Sequence, residues 1–154
     1  MINKIVQSPE QALAGVEDGA TILIGGFGPA GLPVHLVDAL IEQKATDLTI
    51  VANNAGNGEV GIAALLKARR VRKIICSFPR QADSYVFDGL YKSGELELEL
   101  VPQGNLAERI RAAGAGIGAS GYGRDMGFEA MHGYTEVKSV WVNVDAQLPP
   151  YYPR

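Results

Sequence analysis

The chain has 154 residues, 47% of them hydrophobic and 20% charged, with a formal net charge of −3. That length and apolar content fit one domain with a real core. A pI of about 5.4 argues against a nucleic-acid surface, and a single cysteine rules out an internal disulfide framework. A reducing compartment, the cytoplasm, is therefore expected. The opening Met1-Ile2-Asn3-Lys4 lacks the apolar core of a signal peptide, and no apolar run is long enough to span a membrane. His35 and His132 are far apart and lack a metal-ligand spacing, so no metal is expected.

In chain order, Ser8-Pro9-Glu10-Gln11 reads as a helix start, with Ser8 as N-cap, Pro9 at the first helical position and Gln11 at the capping-box position. That helix is predicted to reach about Glu17, where Asp18-Gly19 stops it. Thr21 to Ile24 is a short buried strand. A glycine-rich turn spans Gly25 to Gly31, and Pro33 opens a helix to about Lys44, with Val34, Val37, Leu40 and Ile41 on one face. Leu48 to Val51 is the next strand, followed by the polar loop Asn53-Asn54-Ala55-Gly56-Asn57-Gly58. Glu59 to Ala68 reads as a helix. The basic run Arg69, Arg70, Arg72 and Lys73 reads as its solvated end, with cations near the C-terminal dipole.

Lys73 to Ser77 is a third strand, where Cys76 reads as a buried thiol rather than a nucleophile. A helix is expected over Ala82 to Tyr91, stopped by Ser93-Gly94. Leu96, Leu98 and Leu100 alternate with Glu97 and Glu99, the period of a strand near a sheet edge. After Pro102-Gln103-Gly104-Asn105 a helix runs from Leu106 to about Ala113. The order αβαβαβαβα predicts an α/β fold: a Rossmann-like three-layer αβα sandwich around a mostly parallel sheet. In such sheets ligands bind beyond the C-terminal ends of the strands.

The loop Gly25-Gly26-Phe27-Gly28-Pro29-Ala30-Gly31 leaves few side chains between strand and helix. Glycine there permits positive φ and close approach of a ligand, and the following helix start can receive an anion. A tight turn without a ligand is the alternative. The Lys-Ser/Thr of a P-loop is missing. The loop also matches Gly-x-Gly-x-x-Gly, but Pro29 sits inside it and no acidic residue ends the next strand, which weakens a dinucleotide reading. For Asn53 and Asn54, simple turn chemistry is the alternative to a role in a site. For Gln103 it is an exposed helix start.

Asp18, Gly19, Ile22, Leu23, Ile24, Gly25, Gly26, Phe27, Gly31 and Pro33 fit a signature position by position. The pattern resembles that of the CoA-transferases acting on 3-oxo acids, and within them the first (alpha) subunits. The likeness continues through Val51 to Gly56, Ser93 to Glu97, Pro102 to Arg111 and Ala112 to Gly118, so it covers roughly residues 1–119. The resemblance implies transfer of CoA from succinyl-CoA, or a similar acyl-CoA, to a 3-oxo acid such as 3-oxoadipate. A glutamate is the nucleophile in this family, and it belongs to the second (beta) subunit, the implied partner in a heterodimer. No catalytic residue is expected in this chain; Glu59 is the nearest imitation and aligns with a first-subunit loop. Implied for this chain are CoA binding by Gly25 to Gly31, and lining of the substrate site by Asn53, Asn54, Gln103 and Gly104. The Gln103 amide is a candidate donor to the reacting thioester. CoA enters as a thioester substrate, with no permanently bound cofactor.

After Ala119 the pattern changes. Ser120-Gly121-Tyr122-Gly123-Arg124 and Tyr134-Thr135-Glu136-Val137-Lys138-Ser139-Val140 resemble the C-terminal end of an aldehyde dehydrogenase. The expected organisation is thus an incomplete CoA-transferase-like domain over 1–119 and a foreign-looking tail over 120–154. In that tail Val137 to Val144 is a possible strand, and Leu148 to Pro153 an extended end. Two further readings stay open: a catalytically inactive remnant of such an enzyme, and a small Rossmann-like nucleotide-binding module.

Overall fold

The computed structural model describes residues 5–114. The tail from Ser120 onward, with its expected strand and His132, lies outside the described residues. The elements are α1 (Pro9–Leu13), β1 (Thr21–Leu23), α2 (Val34–Gln43), β2 (Leu48–Ala52), α3 (Ile62–Lys67), β3 (Val71–Cys76), α4 (Tyr85–Lys92), β4 (Glu97–Leu100) and α5 (Gln103–Gly114). The four strands form one parallel sheet in the order β1-β2-β3-β4. The order of elements and the parallel sheet are those expected from the sequence.

Register explains the two faces. Ile22, Ile50, Ile74 and Leu98 lie side by side across all four strands. Crossovers between parallel neighbours are right-handed, so a strictly sequential order places successive helices on the same side. That side holds the core: Leu13, Val37, Leu40, Leu65, Leu66, Phe87 and Leu90 of α1–α4 cluster with Leu48, Ile50 and Ile74. The opposite face carries the rows Thr21-Thr49-Lys73-Glu97 and Leu23-Val51-Ile75-Glu99. Arg109 of α5 reaches Glu99 on that face (Nη1–Oε1 2.7 Å). Cys76 is fully buried in β3, and burial pushes its thiol up to about 11.

Several boundaries differ from those predicted. Helix α1 stops at Leu13 rather than near Glu17. Gln43 Nε2 of α2 donates to both Leu13 O and Val16 O at 2.8 Å, taking the carbonyls a longer helix would use. At the start of α1, Ser8 Oγ accepts from Gln11 N (3.3 Å), while Gln11 Oε1 accepts from Gln7 N (2.8 Å), a capping box displaced by one residue. Helix α3 begins at Ile62 instead of Glu59, because Asn57 to Val60 closes into a small hairpin. Helix α4 begins at Tyr85 instead of Ala82, because Ser84 Oγ accepts from Gln81 N (2.7 Å) and holds residues 81–84 as a turn. Helix α5 begins at Gln103, three residues earlier than expected.

The basic run is more structural than a solvated helix end. Arg69 adopts a left-handed conformation (φ 58°) directly after α3. Arg69 N donates to Leu66 O (2.9 Å) and Arg70 N to Leu65 O (3.4 Å), a Schellman closure. Arg70 Nη1 donates to Lys44 O (3.3 Å), so its cation serves the C-terminus of α2 rather than α3. Arg72 and Lys73 pair with Asp47, Glu97 and Glu99.

Candidate functional site

The sheet ends in three loops on one rim. The first follows β1. Phe27 N donates to Ala30 O (2.9 Å) and Ala30 N to Phe27 O (3.2 Å), closing a hairpin with Gly28-Pro29 at its tip. Gly28 has φ 60°, and Pro29 is held near its ring-imposed φ, the pairing a mirror-image (II′) turn requires. The glycine-rich stretch is therefore a short tongue, not a loose loop.

The second loop has the same build. Gly56, Gly58 and Gly61 follow Gly26, Gly28 and Gly31 at equal spacing, all six have positive φ, and Asn57 bridges Val60 as Phe27 bridges Ala30. The helix expected from Glu59 conceals this repeated Gly-x-Gly-x-x-Gly in the sequence, where the glycine spacing is its only signal. The third loop, after β3, leans on both tongues. Gly58 N donates to Asp83 O (2.7 Å), and Asp83 N donates to Asn57 Oδ1 (2.8 Å). The Gln81 side chain lies against Gly28.

Asn53, Asn54 and Gln103 come together at the ends of β2 and β4. Asn53 Nδ2 donates to Gln103 Oε1 (2.9 Å), and Asn54 Nδ2 donates to Asn53 Oδ1 (3.4 Å). Turn chemistry is present as well: Asn54 Oδ1 accepts from Gly56 N (2.8 Å), and Asn54 is only 4% exposed. Ser77, which the sequence does not single out, joins them. Its hydroxyl, at the end of β3, has both Gln103 Oε1 and Asn53 O as acceptors for its one proton. Gly104 is the second residue of α5, beside Gln103.

Glu59 sits on the second tongue with its carboxylate on Lys67 Nζ (2.6 Å). Lys67, and then Tyr85, hold it below the usual carboxylate range, and Glu59 in turn pushes Tyr85 up to about 12. A carboxylate engaged in this way is a poor nucleophile. Three large apolar side chains stand out from the rim: Phe27 (77% exposed), Val60 (70%) and Phe78 (63%).

The glycine tongues and the carboxamides thus lie together on the C-terminal rim of a parallel sheet, the edge where α/β folds hold their ligands. The chain belongs to the coenzyme A transferase family, whose pattern residues 6–139 match. It is 64% identical over 127 residues to the first-subunit chain of 3-oxoadipate CoA-transferase from Pseudomonas putida, covering 80% of this chain and 55% of that one. The protein of the same description from Acinetobacter baylyi is 64% identical over 118 residues, covering 77% and 52%. The chain thus spans about half the length of these curated relatives. Among solved structures, glutaconate coenzyme A-transferase from Acidaminococcus fermentans shares the fold, with a TM-score of 0.64 and 24% identity over 75% of this chain and 37% of that one.

Proposed function

We propose that this chain supplies the CoA-binding side of a two-subunit CoA-transferase. That enzyme moves CoA from succinyl-CoA, or a similar acyl-CoA, to a 3-oxo acid such as 3-oxoadipate. The observation that carries this reading is the 64% identity to relatives described as first subunits of 3-oxoadipate CoA-transferase. The geometry supports it. The first tongue, Gly25 to Gly31, offers exposed backbone to a phosphate-bearing ligand, and Asn53, Asn54, Gln103 and Gly104 lie on the same rim.

The nucleophilic glutamate comes from the second subunit. Its carboxylate attacks the thioester carbonyl of acyl-CoA and expels the CoA thiolate, giving a mixed anhydride. The thiolate then attacks the glutamyl carbonyl and releases the acid, which leaves a glutamyl thioester of CoA, and a second carboxylic acid takes the CoA by the same two steps in reverse. Each step places negative charge on a carbonyl oxygen, which a preorganised donor stabilises. The Gln103 amide is that donor on this chain. Phe27, Val60 and Phe78, exposed on one rim, are the kind of apolar surface that a partner or ligand covers.

The test is co-expression with a cognate second subunit, followed by size-exclusion chromatography and a succinyl-CoA to 3-oxoadipate transfer assay. A co-eluting complex with turnover is expected. A complex without turnover, or no complex, would instead support the reading of an inactive remnant.

A further inference from the structure

The orientation of the Gln103 side chain is dictated from the backbone three links away. A peptide N–H can only donate, and Gly56 N donates to Asn54 Oδ1 at 2.8 Å. The other end of that carboxamide is therefore the donor, and it reaches Asn53 Oδ1 at 3.4 Å. Asn53 in turn must present its Nδ2, which donates to Gln103 Oε1 at 2.9 Å. The Ser77 hydroxyl accepts from Asn53 Nδ2 (3.3 Å), and its one proton is shared between the same Gln103 Oε1 and Asn53 O (3.1 Å). Gln103 Nε2 is thus the end left over, and among the described residues it has no partner.

We propose that Asn54, Asn53 and Ser77 are positioning residues: a relay of fixed polarity that keeps the Gln103 amide N–H groups, and not its oxygen, facing the reacting carbonyl. The two ends of a carboxamide are nearly equal in size, so packing alone does not choose between them. A flipped Gln103 would offer an acceptor to a developing oxyanion, and the donor would be lost. The first link is rigid, since Asn54 is buried and Gly56 lies against α3. The chemical purpose of the donor rests on the CoA-transferase reading; the polarity itself does not.

Two measurements separate these. In the assembled enzyme, Asn53→Asp replaces the donor facing Gln103 with an acceptor. It is expected to lower kcat by about tenfold or more, with the KM for acyl-CoA little changed. Ser77→Ala should lower kcat as well, and Ser77→Thr should restore it. Unchanged kcat in both Asn53→Asp and Ser77→Ala, or an equal loss in Ser77→Thr, overturns the relay. Should Asn53→Asp fail to fold, the Ser77 pair carries this arm. In the full chain alone, the Gln103 side-chain amide resonances, assigned by their loss in Gln103→Ala, should move in Ser77→Ala while the backbone spectrum holds. Unmoved resonances overturn the relay. If the wild-type complex shows no transfer, the enzyme reading falls and the spectra alone decide the relay.

Discussion

Gly56 rests directly on the first turn of α3: a Cβ at this position would lie 2.3 Å from Ala63 N and 2.9 Å from Ala63 Cα. Neither atom can yield without moving the helix, and φ at Gly56 is 87°. Gly56→Ala is therefore expected to cost about 2–4 kcal/mol, from overpacking plus left-handed strain. A urea midpoint within error of wild type would refute this close approach.

The ends of α3 and α4 offer a matched pair. Both close in the same way, with Gly94 (φ 76°) after α4 where Arg69 (φ 58°) stands after α3. Gly94→Ala should destabilise by about 1 kcal/mol and Arg69→Gly should stabilise by up to about 1 kcal/mol, reduced by whatever the exposed Arg69–Glu95 pair contributes. Chemical denaturation of the two variants side by side checks both signs. Destabilisation by Arg69→Gly would show that the ion pair outweighs the strain.

Burial raises the Cys76 thiol from its ordinary 9.0 to about 11. The folded protein then holds this proton where the unfolded chain has released it. The stability contribution is whole below pH 9.0 and is lost as pH rises toward about 11. Reaction with a thiol reagent at neutral pH should be negligible in the native protein and complete in denaturant. Rapid native labelling would contradict the buried strand position.

On the outer face of the sheet Glu99 lies between Lys73 Nζ (2.9 Å) and Arg109 Nη1 (2.7 Å), and Lys73 first, then Arg109, hold its carboxyl below the ordinary value of 4.5. A depressed carboxylate stabilises above that value, and the contribution fades as pH falls below 4.5. Glu99→Gln should remove part of the acid sensitivity and cost no more than about 1 kcal/mol at neutral pH, less in high salt. Titration of stability against pH for both proteins gives the comparison; parallel curves would mean that the pairing is only nominal.

Phe27 is exposed at the base of the first tongue's hairpin. Phe27→Ser is expected to leave stability within about 0.5 kcal/mol of wild type, and to raise the KM for acyl-CoA severalfold in the assembled enzyme. Equal KM values would remove the tongue from CoA binding.

The parallel order of the fold was readable because apolar strand runs alternate with amphipathic helices, and Ile22, Ile50, Ile74 and Leu98 fall into one row once register is known. The boundaries at Leu13 and Tyr85 were not readable, because they depend on Gln43 from a distant helix and on the Ser84 turn. Likewise Gly25 to Gly31, Asn53, Asn54 and Gln103 announced themselves by residue type and by family pattern. Ser77 did not: a serine closing a strand has no special look until the chain brings it to Gln103, 26 residues on. The second tongue was hidden differently. Ile62, Leu65 and Leu66 form a genuine helical stripe, and reading that helix back to Glu59 masked the glycine spacing before it.

The strictly sequential strand order has one more consequence. Each βα unit pairs only with the unit made just before it, so the sheet grows by addition at a single edge, as a stack of repeats does. Each pairing closes a loop of just one βα unit, although parallel pairing still forms more slowly than local helix contacts. A chain emerging from the ribosome can therefore settle β1, β2 and β3 in turn, and Gln103 arrives last, onto an Asn53–Ser77 seat already in place.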